Sequence, residues 1–363
     1  MAGVPAPSRG SVLDRDYAKY GFPLRTGPKY VAQVLASDPW DYLDYWLREN
    51  MLAQPATRAR ALLEQARDFF DAGQTYRMSS RPLLYYYSFL NIAKVLLLAN
   101  GSVLADPRHG LSVVSPLGQR FASQKIRVQV DPRKDNVFPE LVARLGGKLG
   151  HSQEFRIIDV LQQVVGIHST WSEVAGKCSC FAPVTILPVR SSHRKEVFAL
   201  IILQKPWDNP DCWKAIRQRS KWTQVRVPEE FSLSQPEAEL VCLETPHVRR
   251  RGTSYRSALT ILAGNLRAVG VHALLTRGGY RLYVSDFGPV EQSRLPQIAS
   301  IYASMFYLGS ITRYQPEAFD KIIDRRWAWL VTDFLNTQPK QFLYLMASEI
   351  THSDVVIPYG QLD

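Results

Sequence analysis

The spacing of apolar residues changes along the chain, and the changes mark its elements. From Asp38, the residues Trp40, Tyr42, Leu43, Tyr45, Trp46 and Leu47 crowd into a short aromatic helix. Asp38 suits its N-cap and Pro39 its first position. Residues 57–71 carry Ala61, Leu62, Ala66, Phe69 and Phe70 at helical spacing, and Gly73 is expected to end that helix. Ser80-Arg81-Pro82 opens a longer helix reaching about Ala99, with Ser80 as its cap and Asn100-Gly101 as its stop. Apolar residues occupy nearly every face of it, which requires cover from several neighbours.

The middle of the chain mixes periods. Lys125 to Val130 alternates as a strand does, whereas 138–145 and 157–165 read as short helices. Strands are predicted at 181–189 and 196–203, with a turn at Ser191-Ser192, and again at 239–243 and 280–284. A basic helix is predicted at 211–221. Helical spacing returns at 295–314, where Pro316 ends or kinks the run, and at 327–335 and 341–350, which Pro339 separates. The fold class predicted is α+β. A helical bundle comes from 38–115 and 291–352, with a mixed α/β insertion at 116–290, an irregular lead-in at 1–37 and a tail at 353–363.

Composition narrows the class. Of 363 residues, 46% are hydrophobic and 21% charged, which excludes a disordered chain, a collagen-like rod and a disulfide-rich secreted domain. The net charge of +11 points to an anionic partner: nucleic acid, nucleotide or a membrane surface. Four cysteines form no disulfide framework, so a reducing cytoplasm is expected. Residues 1–10 lack the apolar run of a secretory leader. Residues 82–99 barely reach a bilayer span and include Asn91 and Lys94, so a buried core helix is expected and no membrane partner. Cys178-Ser179-Cys180 has the wrong spacing for a zinc knuckle, and Arg277-Gly278-Gly279-Tyr280 reads as a hairpin turn. Neither a metal nor a cofactor is expected.

Polar residues on the apolar helix are the informative feature. Ser88, Asn91 and Lys94 lie at i, i+3 and i+6 and must find partners if buried. The following loop offers Arg108 and His109, and the 295–314 helix offers Ser310, Thr312 and Arg313. Two readings stand. One is a hydrogen-bond network that locks the loop to the two helices. The other is a catalytic or ligand site built from His109, Lys94, Arg313 and Asn91. Separately, Arg249-Arg250-Arg251 forms a cationic run, and Lys214, Arg217, Arg219 and Lys221 are interleaved with Trp213 and Trp222. Cations beside aromatics suit phosphate contact and base stacking, although ordinary surface charge gives the same pattern.

The run Ser80-Arg81-Pro82-Leu83-Leu84-Tyr85-Tyr86-Tyr87-Ser88-Phe89-Leu90-Asn91-Ile92-Ala93-Lys94, with His109-Gly110-Leu111 after it, resembles the first signature of the bacterial YaaC-like family. Tyr307-Leu308-Gly309-Ser310-Ile311-Thr312-Arg313-Tyr314-Gln315-Pro316 resembles its second, and Phe342-Leu343-Tyr344-Leu345 its terminal helix. The first signature also resembles a HEPN domain. That resemblance implies a helical bundle, and in many members a metal-independent ribonuclease acting in anti-phage or stress systems. The catalytic members carry Arg, four to six residues, then His. Here that spacing occurs at Arg144/His151 and at Arg267/His272, about as often as chance supplies it. His109 has only Arg108 beside it. Three functions are therefore expected from different classes: a nucleic-acid-associated protein, a metal-independent endoribonuclease, and a non-catalytic scaffold or homodimer whose aromatic helix at 40–46 is a surface.

Overall fold

A computed structural model describes residues 4–12, 31–114, 120–131, 133–150, 152–191, 193–205, 221–229, 239–250, 255–276, 279–285, 294–323 and 325–358. Its helices in chain order are α1 (Pro39–Asn50), α2 (Ala53–Thr75), α3 (Arg81–Ala99), α4 (Val137–Arg144), α5 (Ile157–Gln162), α6 (His168–Ala175), α7 (Arg256–Ala268), α8 (Gln297–Tyr314), α9 (Pro316–Ile323) and α10 (Ala328–Thr351). The chain is mixed α+β and divides into two compact units. Residues 36–177 with 290–351 form a helical unit, and residues 1–35, 178–289 and 352–363 form a sheet unit.

In the helical unit, α3 is the central element. Thirteen of its residues are buried, from Pro82 to Leu98, and α2, α8, α10 and α4 pack around it. It is also long and apolar enough to cross a membrane, but 72% of that stretch is buried by protein. The bundle joins segments far apart in sequence through large side chains. Phe89 of α3 stacks on Phe342 of α10 at 3.7 Å between ring centroids. Gly309 of α8 lets that helix approach α3 closely, because a Cβ there would stand 2.9 Å from the Tyr86 Cβ and 3.0 Å from the Pro82 carbonyl oxygen.

Several local expectations are corrected. Asp38 does cap α1, accepting from the Trp40 and Asp41 amides at 2.8 and 3.3 Å. Ser80, by contrast, makes no side-chain cap bond to α3. Gly73 does not end α2, which runs on to Thr75. The glycine instead makes room for the Tyr85 ring, whose Cε1 would lie 2.7 Å from an added Cβ. Pro316 ends one helix and begins the next, α9. Pro339 does not separate two helices: α10 continues through it. Proline forfeits one backbone hydrogen bond, but Phe334, Leu335, Phe342 and Leu343 on either side are all buried, and that packing holds the helix together. The predicted helix at 211–221 falls outside the described residues except for Lys221.

The sheet unit is built on antiparallel strands in the order 223–225, 239–244, 196–205, 181–191, 279–285, 271–276. Helix α7 covers one face, placing Ala258, Leu259, Leu262 and Leu266 in a core with Ile186, Ile201, Leu243 and Trp222. The lead-in is not wholly irregular. Ser11–Val12 adds to the edge of Phe181–Ser191, and Val31–Leu35 pairs in parallel with Ser353–Val356 from the expected tail.

If the Phe89–Phe342 stack joins the two ends of the helical unit, Phe89→Ala costs about 3–5 kcal/mol. Adding Phe342→Ala then costs clearly less than the sum of the two single changes, as measured by chemical denaturation of all four proteins.

Candidate functional site

The stripe of α3 that carries polar chemistry is Tyr87, Asn91 and Lys94, at i, i+4 and i+7. It faces α2, which runs antiparallel to α3. Tyr87 stacks on Phe69 with centroids 5.3 Å apart. Asn91, 6% exposed, donates weakly from Nδ2 to Gln65 Oε1 at 3.4 Å. Arg58 bears electrostatically on the half-buried Lys94. Ser88 is fully buried, and its hydroxyl has no hydrogen-bond partner among the described residues.

His109 reaches this site from the loop after α3, and its backbone is fixed. Its carbonyl accepts from the Phe138 amide at 3.1 Å, and the next carbonyl, of Gly110, accepts from Gln129 at 2.9 Å. Gly110 has a φ of +76°. A Cβ there would lie 2.5 Å from Pro139 Cδ, so the His-Gly sequence meets a steric requirement as well as a chemical one. The Nδ1 atom of His109 meets the Tyr86 hydroxyl, and the rings lie 5.6 Å apart. Arg313, at the end of α8, donates from Nη1 to the Tyr87 hydroxyl at 2.6 Å and lies 5.0 Å over the Tyr314 ring.

The cations here are held by neutral groups. Arg58 donates to the Leu104 carbonyl, and Arg313 to a phenol. Lys94 has no ion-pair partner among the described residues. Elsewhere in the same unit arginines meet carboxylates: Arg60 with Asp44 at 2.6 Å, Arg67 with Asp38 at 2.7 Å, Arg127 with Glu154 at 2.6 Å. Among the described residues, the acid touching this group is Asp106, 3.9 Å from the exposed Arg108 and already engaged by Lys134. The electrostatic consequences follow. Burial, then Arg58, lowers the Lys94 pKa. Partial burial, then Lys94, Arg313 and Arg108, lowers the His109 pKa. Burial, with Tyr302 alongside, raises the Tyr86 phenol, so it keeps its proton.

The other predicted residues lie elsewhere. His272 is 5% exposed, bonded through Nε2 to Ser285 Oγ at 2.8 Å and edge-on to Phe181, so it is a core histidine of the sheet unit. Arg144 donates to the Asn100 carbonyl at 2.9 Å, and His151 lies outside the described residues. Trp222 is corrected: it is 5% exposed, inside the sheet-unit core, and its ring is closed to a stacking base. Lys221 is exposed. Arg249 is exposed and 3.5 Å from Glu196, and Arg250 lies 4.7 Å over the Tyr255 ring. Arg251, Lys214, Arg217 and Arg219 fall outside the described residues. Sequence reasoning missed Tyr86, Tyr87 and Arg58. Counting back from Lys94 by helical steps reaches Tyr87, but nothing local marks Arg58.

The family model described as YaaC-like Protein matches residues 29–350 of this chain. Searches of curated proteins and of solved structures give no match.

The His109 environment makes stability depend on pH. Unfolded, an imidazole titrates near about 6.5; folded, His109 titrates lower. Between those values the unfolded state binds the proton that the folded state refuses, so stability falls as pH drops through that window. Denaturation of the wild type and His109→Gln from pH 5 to 7 is expected to show the wild type gaining on the variant as pH rises. Parallel curves would contradict the assigned environment.

Proposed function

The chain belongs to the YaaC-like protein family, and we propose that it associates with nucleic acid through the Lys94, His109, Arg313 and Arg58 face of its helical unit. The observation that carries this reading is a group of cations, of which Arg58 and Arg313 are held by carbonyl and phenol oxygens, with no carboxylate partner among the described residues. Such a group carries positive charge that an incoming phosphate can neutralise without displacing a resident acid. The net charge of +11 adds long-range attraction for a polyanion. Lys221, Arg249 and Arg250 of the sheet unit, with Lys214, Arg217, Arg219 and Arg251, are proposed as additional phosphate contacts. The bundle around α3 is read as HEPN-like on the strength of the 80–94 run, and a role in anti-phage defence or stress response is part of the same proposal.

A second reading, metal-independent endoribonuclease, draws on the Tyr86–His109 contact. A phenol that keeps its proton donates to Nδ1 of a neutral imidazole and leaves the ring proton on Nε2. In that form His109 is a hydrogen-bond donor at Nε2 and not a base, so cleavage needs the imidazolium as an acid, with Lys94 and Arg313 stabilising charge on phosphorus. Asn91 would position Lys94 from the same stripe. Binding without cleavage asks less of this geometry and is the reading preferred.

Binding of a single-stranded RNA is expected to weaken steeply with salt. Lys94→Met and Arg313→Met are each expected to reduce the slope of log K against log salt by about 0.7. Slopes unchanged in both variants would move the interface elsewhere. RNA cleavage in EDTA that vanishes in His109→Ala would establish the second reading in place of the first.

A further inference from the structure

Arg313 and His109 are anchored on neighbouring residues of α3, Arg313 by the Tyr87 hydroxyl and His109 by that of Tyr86, whose rings touch. Lys94, Arg313 and Arg108 all act on the single imidazole of His109, and Arg58 acts on Lys94 in turn. A strand's internal phosphates each carry one negative charge and are spread along its length, whereas a phosphate monoester gathers nearly two charges and three acceptor oxygens in one place. Concentrated positive charge is the better match for the latter.

The geometry around His109 adds a second observation. Its Nδ1 partner is a phenol, not a carboxylate. A hydroxyl donates to Nδ1 when the ring is neutral and accepts from Nδ1–H when it is charged. Tyr86 can therefore follow the imidazole through a change of protonation without losing the contact. Three cations bear on the ring: Lys94 from α3, Arg313 from α8 and Arg108 from its own loop. No carboxylate among the described residues pairs with His109, and an arriving dianion would supply that partner.

We infer that Lys94, His109 and Arg313 form a site for one phosphate monoester, at the end of a nucleic-acid strand or on a free nucleotide, with His109 as imidazolium when it is bound. The inference rests on the phosphate-binding reading above and narrows it. On binding, a proton from solvent adds to Nδ1, the Tyr86 hydroxyl turns to accept it, and Nε2–H donates to a phosphate oxygen beside Lys94 and Arg313. No covalent bond changes.

The test compares one short RNA bearing a 5′-phosphate with the same RNA bearing a 5′-hydroxyl, at pH 6.5 and 8.5. A nucleoside 5′-monophosphate and the bare nucleoside serve as competitors. The phosphorylated strand is expected to bind about tenfold more tightly at pH 6.5, the scale of one added charge-assisted contact. That advantage is expected to shrink at pH 8.5 and to disappear in Lys94→Met. In His109→Gln, which changes an exposed residue, the advantage loses its pH dependence. The monophosphate displaces the strand and the nucleoside does not. Equal, salt-dependent binding of both strands at both pH values overturns the monoester site while leaving nucleic-acid association standing. Binding of neither strand overturns that association as well.

Discussion

An apolar helix that must be covered on nearly every face governs the helical unit. Once α3 is buried, α2, α8 and α10 have to close around it, and distant parts of the chain become neighbours. The cost of burying any polar group on α3 then decides where its hydrophilic side chains emerge. Tyr87, Asn91 and Lys94 emerge along the α2 seam, where Arg313 meets the Tyr87 hydroxyl, and His109 arrives at the neighbouring Tyr86, which packs on Tyr302 and Phe306 of α8.

The electrostatic character of the site depends on what is missing from that seam. Helix α2 pairs Arg60 with Asp44 of α1 and Arg67 with Asp38 at its cap, yet among the described residues Arg58, on the same helix, is tied to a carbonyl. Arg313 is likewise held by Tyr87. Neutral acceptors fix a guanidinium in place without spending its charge, whereas a carboxylate does both. Burial, and then this local excess of charge, lowers the His109 pKa. The same excess would reward an anion, and the suppressed histidine gives the site a way to respond to one.

Much of this frame was legible in the sequence. The long apolar run with Asn91 and Lys94 in it marked α3, and Asp38-Pro39 marked the start of α1, because caps and helical periods act over a few residues. His109 and Arg313 were sought as partners for Ser88, Asn91 and Lys94, but the groups they bond on α3 are the Tyr86 and Tyr87 hydroxyls. The failures have equally local causes. Ser88 was chosen for the ridge because it is polar, but its buried hydroxyl finds no partner among the described residues, whereas that of Tyr87, one residue earlier, accepts from Arg313. Gly73 looked like a terminator, although its role is to accommodate the Tyr85 ring, a contact invisible to local rules. Pro339 looked like a break, and packing on both sides of it overrode that preference. Trp222 looked like a stacking platform beside cations, yet the sheet buries it. The pairing of Val31–Leu35 with Ser353–Val356 joins segments more than three hundred residues apart, and no local pattern announces it.

The most direct measurement is the proton uptake that accompanies binding of a nucleoside 5′-monophosphate at pH 7. It is obtained by calorimetry in two buffers of different ionisation enthalpy. A neutral imidazole that becomes charged against the phosphate predicts a net uptake of up to one proton in the wild type and a clearly smaller uptake in His109→Gln. Binding with no proton exchanged, or with the same exchange in both proteins, would contradict the account.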